Sequence, residues 1–330
     1  MNGSISKIVG TGSYLPGRRV GNQEVADLLG IEPSYIFRVS GIQTRYWAEP
    51  HEECSFLAEQ ATRRALEQAG LLPEDLDAIL VSSTSPDMIF PSTACLLQAR
   101  LGLKGIPAFD LSASCSGFLY GLSMADCFIR AGQFRRCLVV ASEIKSRTLD
   151  FKDLSTAILF GDGAGAAILE RSSSSDVGIG SIRMYADGDY HDLVKISGGG
   201  SRQPLSQAVL DSSGHTLRIR GSRLYRIAIR RLGEALSDHL EQEKLDASQL
   251  DQVIFHQANG RMLAQFCKSF GLPSERCMTV IEQVGNTSSA SLPMALDRAN
   301  RDRRLKMGDR IMLGTFGGGL TWGTALVRWG

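Results

Sequence analysis

The chain has 330 residues, of which 43% are hydrophobic and 22% charged, enough for one large domain or two fused halves. Its net charge of +1 gives no reason to expect a nucleic-acid or membrane partner. No apolar run approaches the roughly 20 residues that span a bilayer, and the first ten residues do not resemble a signal peptide. The seven cysteines are scattered singly, which argues against a disulfide framework and predicts a reducing, cytoplasmic location.

Strands and helices are predicted to alternate from the start of the chain. The first part reads as a strand over 7–12, a helix over 22–29 capped by Asn22, an irregular segment over 35–47 and an amphipathic helix over 55–69 that ends at Gly70. Strands over 78–83, 106–111 and 137–142 then alternate with helices over 92–101 and from Cys115 to Arg130.

The pattern continues after a linker-like serine run at 171–176. Strands are predicted over 178–185, 252–256, 310–314 and 324–329, and helices over 222–242, 260–270 and 287–300. The Gly/Ser-rich loop over 187–214 is too long to be a passive connector. Glycines at 161, 163 and 165 superficially match a dinucleotide fingerprint, but a strand pattern follows them, so close strand packing is favoured.

The two halves of the chain repeat the same scheme. Each alternates strands with helices, has a small-residue helix start near its middle and ends in a glycine turn that runs into a strand. This pattern predicts a layered α/β fold with two copies of one unit, divided into residues 1–172 and 173–330.

Cys115 follows a predicted strand and opens a predicted helix, whose apolar residues recur at spacings of three and four. Unpaired N–H groups and the helix dipole at that position favour a thiolate and are expected to lower the thiol pKa. Small neighbours leave room for a substrate. The alternative is a buried structural cysteine.

Three features of the second half could act with Cys115. His256 ends an apolar strand, where α/β folds place sites, although it could be a core residue. Asn286 precedes a small-residue crevice and has an amide that can donate two hydrogen bonds, although it could be a helix cap. The glycines at 317–319 could supply oxyanion N–H groups or form only a tight turn.

A Cys–His–Asn set could indicate a papain-type protease, but the surrounding motifs differ. SASCSGF at Cys115, HQAN at His256, GNTSSAS at Asn286 and FGGGLTWG near the end closely resemble the beta-ketoacyl-[acyl-carrier-protein] synthase III family of thiolase-fold condensing enzymes. The resemblance covers essentially the whole chain. It implies a thiolase-like fold, two pseudo-repeated halves in an α-β-α-β-α core, with the cysteine in the first half and the histidine and asparagine in the second.

The resemblance also implies a chemistry. Cys115 would take an acyl group from an acyl-CoA primer, with the backbone N–H groups of Cys115 and Gly318 as oxyanion hole. His256 and Asn286 would then stabilise the enolate formed when malonyl-acyl carrier protein loses CO2, giving a 3-oxoacyl-acyl carrier protein at the start of fatty acid synthesis. The family needs no permanently bound cofactor and no metal; its substrates are CoA and phosphopantetheine thioesters.

Further residues receive roles from the same resemblance. Phe90 would shape the acyl pocket of a dimer partner, and Phe316 would gate the site. Tyr35, with Arg38 nearby, would receive the nucleotide of CoA, although Val39 and Leu154 stand where the family has two arginines, which puts the primer donor in doubt. Tyr225 and Asn259 complete the expected substrate-binding set. Arg261, Arg226 and Lys268 would dock the carrier protein or its phosphopantetheine phosphate; solvated surface charges are the alternative.

Lys145 is a departure from the family, which often has an apolar residue in the acyl pocket there. Lys145, or Arg147 two residues on, could receive a carboxylated primer, so an atypical dicarboxylic or longer primer, in biotin-precursor or specialised metabolism, is the alternative function. A non-catalytic dimer subunit is the alternative from another class. Chain length of the primer and the pathway stay open.

Overall fold

The computed structural model describes residues 5–174 and 176–330. Its strands are β1 (Ser6–Tyr14), β2 (Arg18–Gly21), β3 (Thr44–Trp47), β4 (Ala78–Ser82), β5 (Ala108–Leu111), β6 (Arg136–Glu143), β7 (Gly163–Arg171), β8 (Gly178–Ala186), β9 (Val194–Lys195), β10 (Arg218–Ile219), β11 (Gln252–Phe255), β12 (Cys277–Met278), β13 (Arg310–Gly317) and β14 (Thr321–Arg328). Residues 1–4, within the segment compared with a signal peptide, and residue 175 of the serine run lie outside the described residues.

The α-helices alternate with these strands along the chain. They are α1 (Asn22–Leu29), α2 (Pro33–Ser40), α3 (Cys54–Ala69), α4 (Thr93–Arg100), α5 (Gly117–Arg130), α6 (Leu154–Ala157), α7 (Gln207–Asp211), α8 (Gly221–Gln242), α9 (Gly260–Ser269), α10 (Ile281–Val284) and α11 (Ser291–Arg301). Within the described residues, no helix has both the length and the apolar character that crossing a membrane requires.

Two five-stranded sheets repeat one topology. The first has the order β5-β4-β6-β7-β1 and the second β12-β11-β13-β14-β8. In each, three neighbouring strands are parallel and the last two pairings are antiparallel. The repeat predicted from the sequence is therefore confirmed. The predicted boundary between residues 172 and 173 would fall in the loop between β7 and β8.

Helices cover both sheets and fill the space between them. The buried face of α3, with Leu57, Ala58, Ala61 and Ala65 at helical spacing, packs with α4 on the outer side of the first sheet. Helices α5 and α11 lie between the sheets, and α8 and α9 cover the outer side of the second. These are the five layers of the predicted fold, and the loops at the carboxyl ends of β4, β5 and β11 come together beside the central layer.

The glycines near residue 163 serve helix packing. A Cβ on Gly165 would lie 2.8 Å from the backbone nitrogen of Met294 in α11, and one on Gly163 would lie 2.9 Å from the Met294 sulfur. These glycines lie in or lead into β7, which continues to Arg171. The close packing that the sequence favoured over a nucleotide-binding loop is what the structure shows.

The structure corrects three local predictions. Residues 35–47, predicted to be irregular, form most of α2 and all of β3. Asn22 does not cap α1: Gly21 stands at the cap, and the Asn22 side chain instead bonds to the carbonyl of Ile42 and to Arg45. The loop at 187–214 contains β9 and α7. These segments are organised by contacts with distant parts of the chain. Such contacts cannot be predicted from the pattern of neighbouring residues.

The cysteines are not all unpaired. The structure joins Cys267 of α9 to Cys277 of β12 as a disulfide, with 6.7 Å between their Cα atoms. The expectation of singly scattered thiols is therefore wrong for these two residues. The other five, including Cys115, are free.

Candidate active site

Cys115 lies in a tight turn between a strand and a helix, as the sequence predicts. The turn, Ser114–Ser116, is a single turn of 3₁₀ helix that leads directly into α5. Ser114 has a φ of 52°, a left-handed conformation that non-glycine residues adopt rarely. This turn presents the half-buried thiol at the edge of the sheet.

The end of β13 packs tightly against the same turn. The hydroxyl of Thr315 donates to the carbonyl of Cys115 at 2.9 Å. A Cβ on Gly317 would lie 2.6 Å from the backbone nitrogen of Cys115, so only glycine permits this approach. The second half of the chain thereby holds Cys115 of the first half in place.

Asn286 is linked to the Cys115 thiol by Ser288, which contacts both residues. The hydroxyl of Ser288 lies 3.4 Å from Cys115 Sγ, and its backbone N–H donates to Asn286 Oδ1 at 2.8 Å. The Asn286 amide nitrogen donates one proton to the carbonyl of Ala258 at 3.2 Å. Since an amide carries two protons, one remains for a ligand.

His256 follows the last residue of β11 and is 2% exposed. Its Nδ1 lies 2.6 Å from the hydroxyl of Ser291, and its ring packs edge-on against Phe316 at 5.4 Å between ring centroids. Burial lowers the pKa of His256 to about 3, opposed only in part by the charge of Glu143. The imidazole is therefore neutral at physiological pH, and it can donate one hydrogen bond.

The pKa of Cys115 differs from the expectation. Burial raises the pKa of this thiol, whereas the hydrogen bond with Ser288 and the charge of Lys145 lower it less. The prediction of a lowered pKa is thus wrong, because burial of the thiol, together with the nearby charge of Glu143, outweighs its hydrogen bonds and the charge of Lys145.

A cavity of about 370 Å³ opens from the thiol. Its walls are mostly apolar, from Phe160, Val194, Ile196 and Leu217, but Lys145, His191 and Lys195 also line it. The Lys145 ammonium is buried and lies 3.1 Å from the carboxylate of Glu143. An acyl chain fits this lining. The two lysines add positive charge to it, although the charge of Lys145 is paired with that of Glu143.

Glu143, at the end of β6, lies behind the cavity and is fully buried. Besides Lys145, it accepts hydrogen bonds from the hydroxyls of Ser85 at 2.6 Å and Ser289 at 2.7 Å. Burial by itself would raise the pKa of Glu143, but Lys145 and these hydrogen bonds hold it below its usual value. The carboxylate is therefore charged and organises the cavity floor.

The amide of Gly318 already has a hydrogen-bond partner. Its N–H donates to the hydroxyl of Ser114 at 3.0 Å. A substrate oxygen that binds between the amides of Cys115 and Gly318 has to displace this hydroxyl. The predicted oxyanion position is thus filled by the chain itself.

Comparison with known proteins agrees with this arrangement. Residues 109–188 match the family model described as 3-oxoacyl-[acyl-carrier-protein (ACP)] synthase III, and residues 240–329 match the model of its C-terminal part. The chain is 44% identical over 324 residues to a beta-ketoacyl-[acyl-carrier-protein] synthase III of Methylococcus capsulatus, covering 98% of this chain and 99% of that protein.

The chain belongs to the 3-oxoacyl-[acyl-carrier-protein] synthase III family. A second relative with the same description, from Alkalilimnicola ehrlichii, is 42% identical and covers 99% of this chain and 100% of that protein. The crystal structure of a 3-oxoacyl-[acyl-carrier-protein] synthase III from Aquifex aeolicus superposes with a TM-score of 0.90 at 38% identity, over 98% of this chain and 100% of that one. The predicted thiolase-like fold is confirmed.

Three expected substrate-binding residues lie away from the thiol cavity of this synthase III chain. Arg147 donates to the carbonyls of Glu49 and Glu52, both at 2.8 Å, and lines a separate depression beside Asp87. Tyr225 of α8 bonds to Gln265 of α9. Asn259 is the N-cap of α9, with Oδ1 accepting from the backbone of Arg261 and Met262. Neighbouring sequence does not reveal these orientations.

Other expected residues are placed where binding is possible. Arg38 stacks over Tyr35 at 5.4 Å, and both line a surface depression with Leu154. Phe90 is 85% exposed, whereas Phe316 is buried beside His256. Arg226 and Lys268 are exposed on α8 and α9.

Arg261 has structural contacts of its own. It donates to the carbonyls of Arg38 at 3.1 Å and Phe37 at 3.3 Å, and thereby joins α9 to α2. Arg261 therefore lies next to the Tyr35–Arg38 depression.

Several polar residues around the site are not predicted from the sequence. Ser114, Ser288 and Ser291 contact the thiol turn or the imidazole, while Glu143 lies behind the cavity and accepts the backbone N–H of Thr84. Ser288 and Ser291 stand in the small-residue cluster after Asn286, so their position was visible, but not their partners. Glu143 ends an otherwise apolar strand, which is a signal that could have been used.

Proposed function

We propose that this chain condenses an acyl thioester primer, supplied as acyl-CoA, with malonyl-acyl carrier protein to give a 3-oxoacyl-acyl carrier protein, the reaction that initiates fatty acid synthesis. One observation carries the proposal: the thiol of Cys115 and the amide of Asn286 meet through Ser288, with 3.4 Å from Sγ to the hydroxyl and 2.8 Å from its N–H to Oδ1. A nucleophile and a neutral amide donor beside one acyl-sized cavity fit transfer followed by condensation.

In the first half-reaction, Cys115 attacks the primer carbonyl. The C–S bond to CoA breaks, the CoA thiol leaves with the proton of the cysteine, and the acyl group stays on Sγ. The amides of Cys115 and Gly318 hold the oxygen of the tetrahedral intermediate once the Ser114 hydroxyl has moved away.

In the second half-reaction, the malonyl thioester oxygen accepts hydrogen bonds from His256 Nε2 and the free Asn286 proton. The bond to the carboxylate breaks, CO2 leaves and its electrons form the enolate that these donors stabilise. The enolate carbon attacks the acyl-cysteine, and the C–S bond breaks to return the thiolate. A neutral imidazole, as the buried His256 supplies, is suited to donate here.

Intact-protein mass spectrometry tests this function. Incubation with a series of acyl-CoA primers should add one acyl mass, the adduct should map to Cys115, and Cys115→Ala should remove it. Malonyl-acyl carrier protein should then release CO2. An absent adduct with every primer would favour a non-catalytic dimer subunit, and an adduct without CO2 release would indicate acyl transfer.

A dicarboxylic primer is the second candidate, and the lining of the cavity favours it. Lys145, His191 and Lys195 all face the space next to Cys115. Arg147, the other cation considered for this role, lies outside that cavity. Competition among acetyl-, medium-chain- and glutaryl-CoA decides the question; a strong preference for acetyl-CoA excludes the dicarboxylic primer, and Lys195→Leu, which leaves the pair of Lys145 with Glu143 intact, should weaken glutaryl transfer selectively.

We also propose a homodimer. Met88, Ile89 and Phe90 form a run of exposed apolar side chains, 46%, 92% and 85% exposed. Apolar residues clustered in this way commonly form protein interfaces. Native mass spectrometry of the chain and of Phe90→Asp tests this: the first should be a dimer and the second should contain more monomer.

For the carrier protein we propose docking beside α8 and α9. Arg226 and Lys268 are exposed there, and Arg261 lies at the start of α9. Cations of this kind attract acidic partners and phosphate. Arg226→Glu with Lys268→Glu should raise the KM for malonyl-acyl carrier protein and leave that for acyl-CoA unchanged.

Tyr35 and Arg38 are proposed to receive the CoA nucleotide. Val39 and Leu154, which stand where the family has two arginines, contribute no charge to this binding.

A further inference from the structure

The ring of His256 has one fixed neighbour on its inner side. Ser291, the first residue of α11, is fully buried, and its hydroxyl lies 2.6 Å from Nδ1 of His256. The same hydroxyl oxygen accepts the backbone N–H of Gln257 at 3.1 Å. Nε2 of the ring has no protein partner among the described residues and is left for a ligand.

The direction of this contact follows from counting donors and acceptors. The Gln257 N–H already donates to the Ser291 oxygen. The hydroxyl proton needs an acceptor because the group is buried, and in the described part of the chain the structure offers it only Nδ1. Ser291 therefore donates, and Nδ1 accepts. In a neutral imidazole the other nitrogen then carries the proton.

The Gln257 amide that orients the hydroxyl is itself held firmly. The Gln257 side chain is buried and donates to the carbonyl of Phe255 at 2.7 Å, while its oxygen accepts from the backbone of Val280 at 2.9 Å and Ile281 at 3.3 Å. Gln257 thus cannot turn away from Ser291. The fixed Gln257 amide thus orients the Ser291 hydroxyl, and the hydroxyl in turn orients the His256 imidazole.

We propose that Ser291 is a positioning residue for the condensation step: its hydroxyl donates to Nδ1 of His256 and holds the ring in the tautomer that presents an Nε2 proton to the malonyl thioester oxygen. This inference rests on the proposed function for its catalytic meaning. Without the hydroxyl, the tautomer with the proton on Nδ1 becomes accessible, and a bare Nε2 repels the enolate oxygen.

The tautomer is measured directly on the wild-type chain. Nitrogen-15 NMR of protein labelled in its histidine rings, with the His256 signals assigned from their loss in His256→Ala, distinguishes protonated from bare ring nitrogens. At neutral pH, Nδ1 should be bare and Nε2 protonated. A proton on Nδ1 overturns the proposal, whether or not the chain proves to be a condensing enzyme.

Kinetics separate positioning from simple structural support. Ser291→Ala should lower the kcat of CO2 release from malonyl-acyl carrier protein by about 10- to 100-fold, less than deletion of an oxyanion donor, with little change in KM. Acylation of Cys115 should stay within about twofold, since that step does not use His256. Ser291→Thr, which keeps the hydroxyl, should recover most of the rate.

A control and the opposing outcomes complete the test. Thr62 of α3 is another fully buried hydroxyl, which donates to the carbonyl of Ala58 within its own helix at 2.7 Å; Thr62→Val should leave both half-reactions unchanged. Equal loss of both half-reactions in Ser291→Ala, or no loss of either, overturns the proposal. If that variant does not fold, the wild-type NMR result decides. A wild-type chain that forms no adduct and releases no CO2 contradicts the proposed function instead.

Discussion

At the scale of single residues, two donors and one occupied amide decide the chemistry. Asn286 has one hydrogen-bond donor left for a ligand, and so does the neutral His256 in the tautomer proposed above. Gly318 differs, because its amide already bonds to Ser114. The proposed second half-reaction therefore uses donors that are free. The first requires the Ser114 hydroxyl to leave the Gly318 amide before a substrate oxygen can bind there.

Asn286→Ala should impair only the second half-reaction. An alanine brings no charge to the neighbourhood of Cys115, but it cannot donate to the malonyl oxygen. CO2 release from malonyl-acyl carrier protein should fall about 10²- to 10³-fold, while the rate of Cys115 acylation stays within about twofold. Quenched-flow mass spectrometry measures both rates, and equal loss in the two steps would contradict the assigned role.

Ser114→Ala should accelerate acylation of Cys115. The variant removes the hydroxyl that occupies the Gly318 amide, a hydrogen bond with a net value of about 1 kcal/mol, so a gain of about 2- to 10-fold is expected. The rate of adduct formation with acyl-CoA is the measurement, and CO2 release serves as the internal control because it uses other donors. Slower acylation would show that the Ser114 hydroxyl assists the step.

At the scale of elements, the start of α9 is joined to the end of α2. The Asn259 side chain caps α9 and also donates to the carbonyl of Val39 at 3.1 Å, and Arg261 adds its contacts with Arg38 and Phe37. The disulfide between Cys267 and Cys277 ties the other end of α9 to β12. The surface proposed for the carrier protein is therefore a fixed one.

Asn259→Ala should lower the free energy of unfolding by about 1–2 kcal/mol, the usual value of an N-cap. Urea denaturation measures this loss. Asn259→Ser, which retains a capping oxygen, is the matched control and should recover part of the stability. Because the side chain is occupied by backbone groups, the KM for acyl-CoA should change little; unchanged stability together with a raised KM would restore Asn259 to the substrate-binding set.

At the scale of the whole molecule, two buried neutral histidines make stability depend on pH. Burial lowers the pKa of His256 to about 3 and that of His239 to about 4. His239 lies between Ser181 of β8 and Thr324 of β14, each 2.7 Å from a ring nitrogen. Below pH 6.5 the unfolded chain binds protons that the folded chain does not, so stability falls as the pH falls.

Each histidine should cost about 2 kcal/mol of unfolding free energy between pH 7.5 and pH 5. Urea denaturation across this range provides the measurement. His239→Gln removes one titrating ring outside the active site, and its stability should depend less steeply on pH than that of the wild-type chain. A free energy of unfolding that is constant over the range would contradict the neutral buried state.

Local patterns accounted for most of the elements. Apolar spacing predicts α3, α5 and α8, and the residues beside Cys115, His256 and Asn286 single them out as candidates, which the structure brings to one region. Residues 35–47 were misjudged, because a short helix and a short strand there have no clear period of their own. They are stabilised by contacts with distant segments, such as that between the Asn259 side chain and the Val39 carbonyl, which is 220 positions away in the chain.

The sequence by itself determined the alternation of elements, the repeat and the identities of the candidate catalytic residues, because periodicity and motifs are properties of neighbouring residues. Only the tertiary structure decided that Ser288 meets Cys115 across 173 positions, that Arg147 and Asn259 bond elsewhere, and that burial raises the thiol pKa. Side-chain direction, burial and hydrogen-bond partners depend on which layers pack together. This packing exists only in the folded chain, where the two halves enclose α5 and α11.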